Sequence, residues 1–236
     1  MGAVKNLQGR GTPELVWAQA GLPEHLPCLD LDVFAPPGAG VVVVVPHPDD
    51  EVLGVGGLLR QLAERDVGVL ILAVTDGEAS HPGRADELRV RRADERRGAL
   101  GVLGSDARVV RLGHPDGHVD EALLRRQISA HVGPTDVLLG PWERDGHPDH
   151  DACGHAARGL SSRAWSYLVW AWHWAQPCHL PTDRMVQVPM SVDQLQAKHL
   201  AVQEYVSQLE GVDPILPEHV RVRLTRSAEV LLAGSC

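Results

Sequence analysis

Val41-Val42-Val43-Val44-Val45 runs directly into Pro46-His47-Pro48-Asp49-Asp50-Glu51 and then into Leu53-Gly54-Val55-Gly56-Gly57. Five consecutive β-branched residues offer no polar face, so the run reads as a strand buried on both sides, as in the interior of a parallel sheet. Pro46 ends it. Beyond the acidic motif, Leu58, Leu59 and Leu62 recur at helical spacing, which predicts a helix over 53–63 that closes near Gly68.

Working outward, the same alternation repeats. Residues 69–74 form a second apolar strand, stopped by the Asp76-Gly77 turn signal. A charged helix over 86–103 precedes a short strand at 108–112, and a helix over 121–131 precedes a strand at 136–139. A helix over 152–160 leads to a strand at 166–172. Strands alternating with helices of ten to twenty residues imply an α/β fold, Rossmann-like and doubly wound, with a mostly parallel sheet flanked by helices. Residues 1–38, interrupted by Pro13, Pro23, Pro27 and Pro36-Pro37, read as irregular. Residues 184–236 read as a C-terminal helix over 193–208 plus edge strands, all within a single domain spanning 1–236. In such a sheet ligands sit beyond the carboxyl ends of the strands.

Two polar clusters occupy such positions. The first is His47 with Asp49, Asp50 and Glu51. Adjacent carboxylates after an apolar strand repel one another and are costly to bury unless a cation compensates them. Helix capping accounts for one or two of the acids but not for His47. His47 and Asp50, three apart across a proline-stiffened turn, can face one ion. The second cluster is Asp145-Gly146-His147-Pro148-Asp149-His150-Asp151, read as a rigid polar loop after the strand at 136–139. Together the clusters supply three N/O ligands with acids and bases to spare, the pattern of catalytic zinc with a vacant fourth position.

Pro46–Glu51 followed by Leu53–Gly57 resembles the first signature of the LmbE/PIG-L family of zinc-dependent N-acetylglucosaminyl deacetylases, and His147-Pro148-Asp149-His150 resembles its second. Thr75–Glu78, Arg92 with Glu95, Asp116-Gly117, Trp170–Trp174 and the 198–208 helix fit as well, so the resemblance spans roughly 40–210. It implies one zinc ion per chain held by His47, Asp50 and His150, with zinc over iron or cobalt a family-level preference. Asp49 is then the general base toward the attacking water. A protonated His147 stabilises the oxyanion and donates to the leaving amine, and Asp149 holds His147 in the right tautomer and favours its charge. Pro46 stands where many members have Ala, at a position that is not a ligand.

The implied activity is removal of an N-acetyl group from an N-acetylglucosamine-type conjugate, hydrolysis of a linear amide. An amidase for a bulkier acyl group, a non-catalytic metal- or sugar-binding relative, and a metal phosphoesterase are the alternatives. Glu51, Arg92, Trp142 and Asp145 are candidate substrate contacts, with Arg84 and Arg89 as rivals to Arg92 for an anionic or polyol group. Trp170, Trp172 and Trp174 alternate as though on one face of an extended segment, as core or as a wall against a sugar ring. Gly54-x-Gly56-Gly57 is not G-x-G-x-x-G, since position 59 is Leu; close helix–sheet packing explains it better than a dinucleotide.

The bulk numbers agree. The net charge of -9 opposes nucleic acid as a partner. Twenty of the 22 basic residues are Arg, a bias typical of a GC-rich bacterial genome. Cys28, Cys153, Cys178 and Cys236 have no zinc-finger or C-x-x-C spacing and read as reduced thiols. Met1–Gln8 lacks the apolar stretch of a signal peptide, and no run approaches the ~18 residues of a membrane span, so a cytoplasmic location is expected. A homo-oligomer is compatible with the sequence.

Overall fold

The computed structural model describes residues 9–234; the N-terminal stretch read for a leader, Met1–Gln8, and Cys236 lie outside it. Seven strands, β1 (Val41–Val45), β2 (Val69–Ala73), β3 (Arg108–Arg111), β4 (Val137–Pro141), β5 (Ala164–Tyr167), β6 (Met185–Pro189) and β7 (Ala228–Ala233), form one sheet in the order β3-β2-β1-β4-β5-β7-β6. The first five pair in parallel, while β7 runs antiparallel to β5 and to β6. The helices are α1 (Glu14–Gln19), α2 (Leu31–Phe34), α3 (Asp50–Ala63), α4 (Ala85–Val102), α5 (Glu121–Ser129), α6 (Pro148–Ala157), α7 (Ala171–Trp174), α8 (Val192–Gln203), α9 (Val206–Leu209) and α10 (Glu218–Leu224).

The valine run behaves as its composition demands. Val41, Val43 and Val45 pack into a core with α3, α4 and α8, whereas Val42 and Val44 pack into a second core with α5 and α6. Each buried valine contributes about 1.5–3 kcal/mol. From β1 the chain builds outward to β2 and β3 on one side and to β4 and β5 on the other. The crevice of an open α/β sheet lies where the strand order reverses, here between the carboxyl ends of β1 and β4.

The glycines after the acidic motif serve packing, as expected. A Cβ on Gly54 would run into the Tyr167 ring, and one on Gly57 would meet the Met190 side chain. Helix α3 is kinked at Val55 (φ -143°, ψ 25°). At the kink the Glu229 carboxylate accepts from Gly57 N (2.7 Å) and Leu58 N (2.9 Å), and Lys198 Nζ donates to Leu53 O (2.9 Å) and to Glu229 (2.6 Å).

Several local expectations are corrected. Helix α6 begins at Pro148, not near 152, because His147 caps it and proline suits a first helical position. The second cluster is therefore a helix N-terminus and not a loop. Residues 171–174 are helical, so the three tryptophans share no extended face; Trp172 is buried against Trp17 at 5.0 Å between ring centroids. The turn is imposed by Asp145, whose carboxylate gathers the N–H groups of Val169, Trp170 and Ala171. The 193–208 helix is broken between α8 and α9, where Glu51 accepts from the Tyr205 hydroxyl and Glu95 from Ser207. Of the two late strands only β6 is an edge; β7 inserts between β5 and β6. Within 1–38 the short helices α1 and α2 form. Among the described residues, no helix is long and apolar enough to cross a membrane.

Candidate metal centre

His47 lies two residues beyond β1, in a tight turn where its carbonyl accepts from Asp49 N (2.9 Å) and Asp50 N (3.3 Å). Its own N–H donates to Asp50 Oδ2 (2.9 Å), so the acid and the ring are fixed together before any long-range contact. His150, on the first turn of α6, approaches from β4's side. His47 Nδ1, Asp50 Oδ2 and His150 Nε2 then form a triangle with edges of 3.3, 3.1 and 3.3 Å. Zinc bonds of about 2.0–2.1 Å in tetrahedral geometry require ligand–ligand spacings of about 3.3–3.4 Å. The triangle therefore has the dimensions of one face of such a polyhedron.

The remaining ring nitrogens are held by carboxylates. His150 Nδ1 is 2.8 Å from Asp145 Oδ2; His47 Nε2 is 3.1 Å from Asp149 Oδ2 and 3.2 Å from Asp116 Oδ1. A ring that donates outward to a carboxylate presents its other nitrogen as a free lone pair, the arrangement that metal-binding histidines use. Burial pulls both imidazoles toward neutrality, but the acids outweigh it: His150 is raised to about 9 and His47 well above its ordinary value. Surroundings that favour a proton between these groups also favour a cation. Asp49, Asp50, Asp116, Asp145 and Asp149 bring five carboxylates together with one buried guanidinium, that of Arg92. So much buried negative charge is costly without a cation. The donor set fits a divalent metal, and the three histidines His47, His147 and His150 all bring a ring nitrogen to the same place.

Asp49 faces the cavity above the triangle, and Arg92 Nη2 reaches its Oδ2 at 3.0 Å. Burial raises the Asp49 carboxyl to about 6 against the pull of Arg92, with Asp50 adding to the rise. His147 also lines the cavity. Burial and the two neighbouring imidazoles push it down to about 3, where the resemblance implies a protonated ring. Its Nδ1 accepts from Asp149 N (3.2 Å), leaving Nε2 to carry the proton. Asp149 thus fixes the tautomer through its backbone, and its carboxylate instead binds His47 and Gly117 N (2.8 Å).

The expected substrate contacts fare differently. Asp145 is fully buried behind His150, its oxygens spent on that ring and on three backbone N–H groups. Glu51 is fully buried too, accepting from Arg96 (2.7 Å) and Tyr205 (3.1 Å). Neither lines the cavity. Trp142 lines a different cavity, beside Trp165 and Arg158. Arg92 alone of the four borders the cavity over the triangle, a space of about 320 Å³ that Trp170 also borders. Asp116, read in the sequence only as part of a supporting match, is also a site residue. It lies in the polar turn after β3, the same strand-end criterion that singles out the two clusters, and its carboxyl is lowered to about 2; burial opposes this but the hydrogen bond to His47 dominates.

A family model described as "PIG-L: GlcNAc-PI de-N-acetylase" matches residues 42–161, just over half of the chain. The chain belongs to this family. Among PIG-L relatives it is 30% identical over 126 residues to a diacetylchitobiose deacetylase of Thermococcus kodakarensis, covering 48% of this chain and 46% of the relative. It is 30% identical over 164 residues to a 1D-myo-inositol 2-acetamido-2-deoxy-alpha-D-glucopyranoside deacetylase of Corynebacterium glutamicum, covering 55% and 56%. It is 31% identical over 127 residues to a probable N-acetyl-alpha-D-glucosaminyl L-malate deacetylase 2 of Bacillus subtilis, covering 49% and 58%. The chain spans about half the length of these relatives. The solved structure of the conserved protein TT1542 from Thermus thermophilus superposes with a TM-score of 0.62 at 26% identity, covering 83% of this chain and 94% of that one.

Proposed function

We propose that this PIG-L chain is a zinc-dependent hydrolase that removes the N-acetyl group from an N-acetylglucosamine-type conjugate. The observation that carries the reading is the triangle of His47 Nδ1, Asp50 Oδ2 and His150 Nε2, with both rings held from behind by carboxylates. When bound there, the ion would supply Lewis acidity and lower the pKa of a water, leaving one position open to substrate.

The chain's own groups divide the remaining work. Asp49, held by Arg92, is the base that takes a proton from the attacking water as its oxygen bonds to the acetyl carbon. His147, with Nδ1 occupied by a backbone N–H, offers Nε2–H toward the same cavity. That N–H stabilises the carbonyl oxygen as it gains charge, and the proton taken up by Asp49 passes to the nitrogen as the C–N bond breaks, so the amine leaves neutral and acetic acid, which ionises to acetate, is the second product. One water is consumed, and Asp49 is left ionised for the next turnover. Asp116, Asp145 and Asp149 touch the ligand imidazoles rather than the reacting atoms and act as positioning residues. The cavity has room for about one sugar ring, in the lower part of the range usual for ligand sites.

The test is acetate release from the inositol and chitobiose conjugates of N-acetylglucosamine. Activity is expected to vanish under a strong chelator, to return with zinc, and to fall by roughly 10²–10⁴-fold in Asp49→Ala. Activity indifferent to metal removal, or retained in Asp49→Ala, refutes the mechanism. A longer N-acyl group cleaved faster than acetyl on the same sugar would favour the amidase alternative.

A further inference from the structure

We propose that the group attached to the amino sugar is uncharged, so that the site takes a neutral N-acetylglucosaminide and discriminates against one carrying a carboxylate or phosphate. This rests on the deacetylase reading above and names the substrate class within it.

The charge inventory of the cavity carries the argument. Its acidic lining is Asp49, Asp50 and Asp116, and among the described residues its one lysine or arginine is Arg92. Arg92 is largely committed to the protein itself. Its Nη1 donates to Gly77 O (3.0 Å) and its Nη2 to Pro48 O (3.1 Å) and Asp49 Oδ2 (3.0 Å), while its Nε is buried without a partner among the described residues and out of reach of solvent. The other arginines near the start of α4 are tied to acids as well. Arg84 pairs with Glu87 (2.5 Å), Arg89 with Asp86 (2.9 Å) and Glu78 (3.3 Å), and Arg91 with Glu210 (2.7 Å) and Glu95 (3.1 Å). The sequence's anion-binding candidates, Arg84, Arg89 and Arg92, thus each already face a carboxylate. Counting Asp145 and Asp149 behind the histidines, even a divalent cation together with Arg92 leaves the carboxylates in excess. Apart from the imidazoles of His47 and His147, the rest of the wall carries no charge: Trp170, Ile215 and Leu216 are apolar and Ser80 is an uncharged hydrogen-bonding group. An anionic substituent entering here would lose its hydration and meet like charge, with no fork of N–H donors in return.

A pair of aryl N-acetylglucosaminides differing only in charge, 4-carbamoylphenyl and 4-carboxyphenyl, isolates the effect from shape. Both anomers are compared on the zinc-loaded protein by acetate release. One like charge about 8 Å away at an effective dielectric between 20 and 40 corresponds to a preference of about tenfold in kcat/KM for the carbamoyl member. The ratio is expected to shrink as salt shortens the screening length below about 8 Å, and to move toward unity in Asp116→Asn, where the ratio is read independently of any overall loss of rate. Equal rates, a preference for the carboxylate, or a preference that 1 M salt leaves intact overturns the proposal. If neither member is cleaved and the inositol and chitobiose conjugates are also inert, the deacetylase reading fails and this inference falls with it. Cleavage of those conjugates alongside a carboxylate preference sinks this inference alone.

Discussion

Asp145→Asn is an isosteric change whose effect the structure allows to be worked out atom by atom. Asp145 Oδ1 accepts from Val169 N (3.0 Å) and Ala171 N (2.9 Å), and Oδ2 from Trp170 N (2.9 Å) and His150 Nδ1 (2.8 Å). An amide can keep only one of these oxygens. With its NH2 at the Oδ2 position, a donor faces the Trp170 N–H, and His150 Nδ1 can bond only as an acceptor. That moves the ring proton to Nε2, which points at Asp50 and His47, where a metal would need a lone pair. With the amide reversed, two backbone N–H groups lose their acceptor. Loss of a carboxylate behind a ligand histidine weakens metal binding by about 10–100-fold, or roughly 1.4–2.7 kcal/mol. In the metal-free protein at least one buried donor is orphaned, at about 1–3 kcal/mol. For a chain of this size that lowers Tm by roughly 2–12 °C. Zinc affinity is measured by competition with a chromophoric chelator, and Tm by thermal denaturation in excess chelator. Had Asp145 touched substrate, zinc affinity would hold and the penalty would appear in KM at saturating metal. A zinc Kd within twofold of wild type refutes the reasoning.

Two further outcomes follow from other buried groups. Lys198→Met removes the ammonium that pairs with Glu229 and holds the Leu53 carbonyl at the α3 kink; an unpaired buried carboxylate costs about 3–5 kcal/mol. Its Tm is expected to fall by roughly 6–20 °C, and a fall under about 2 °C would mean that the pair does not brace the helix. Cys153 is fully buried and its thiol is pushed well above its ordinary pKa by burial, whereas Cys28 and Cys178 are exposed. An aromatic disulfide reagent should label Cys28 and Cys178 in the native protein and Cys153 only after denaturation, as read by peptide mapping. Rapid native labelling of Cys153 would contradict the packing of α6 against the sheet.

Much of this protein is decided locally. An unbroken β-branched run can satisfy its composition only by burial on both faces, so the sheet centre and the strand-end placement of His47, Asp49 and Asp50 follow from 41–51 alone. His150 and the capped start of α6 are likewise written into one short segment, although by its composition Pro148 reads as part of a loop and not as the first helical residue. Roles that depend on where an oxygen points are not legible. Asp145 and Glu51 are polar residues beside a polar motif, and nothing in their neighbours reveals that one gathers three distant N–H groups and the other meets Arg96 and Tyr205. Asp116 reaches His47 from a turn some seventy residues along the chain. The tryptophan segment misleads for the same reason: its period suits a strand until the Asp145 carboxylate binds three consecutive backbone donors and coils it. Burial preference and turn chemistry act between neighbours and can be read along the chain, whereas hydrogen-bond partners and the charge balance of the cavity are set by groups that meet only once the sheet has brought the ends of β1, β3 and β4 together.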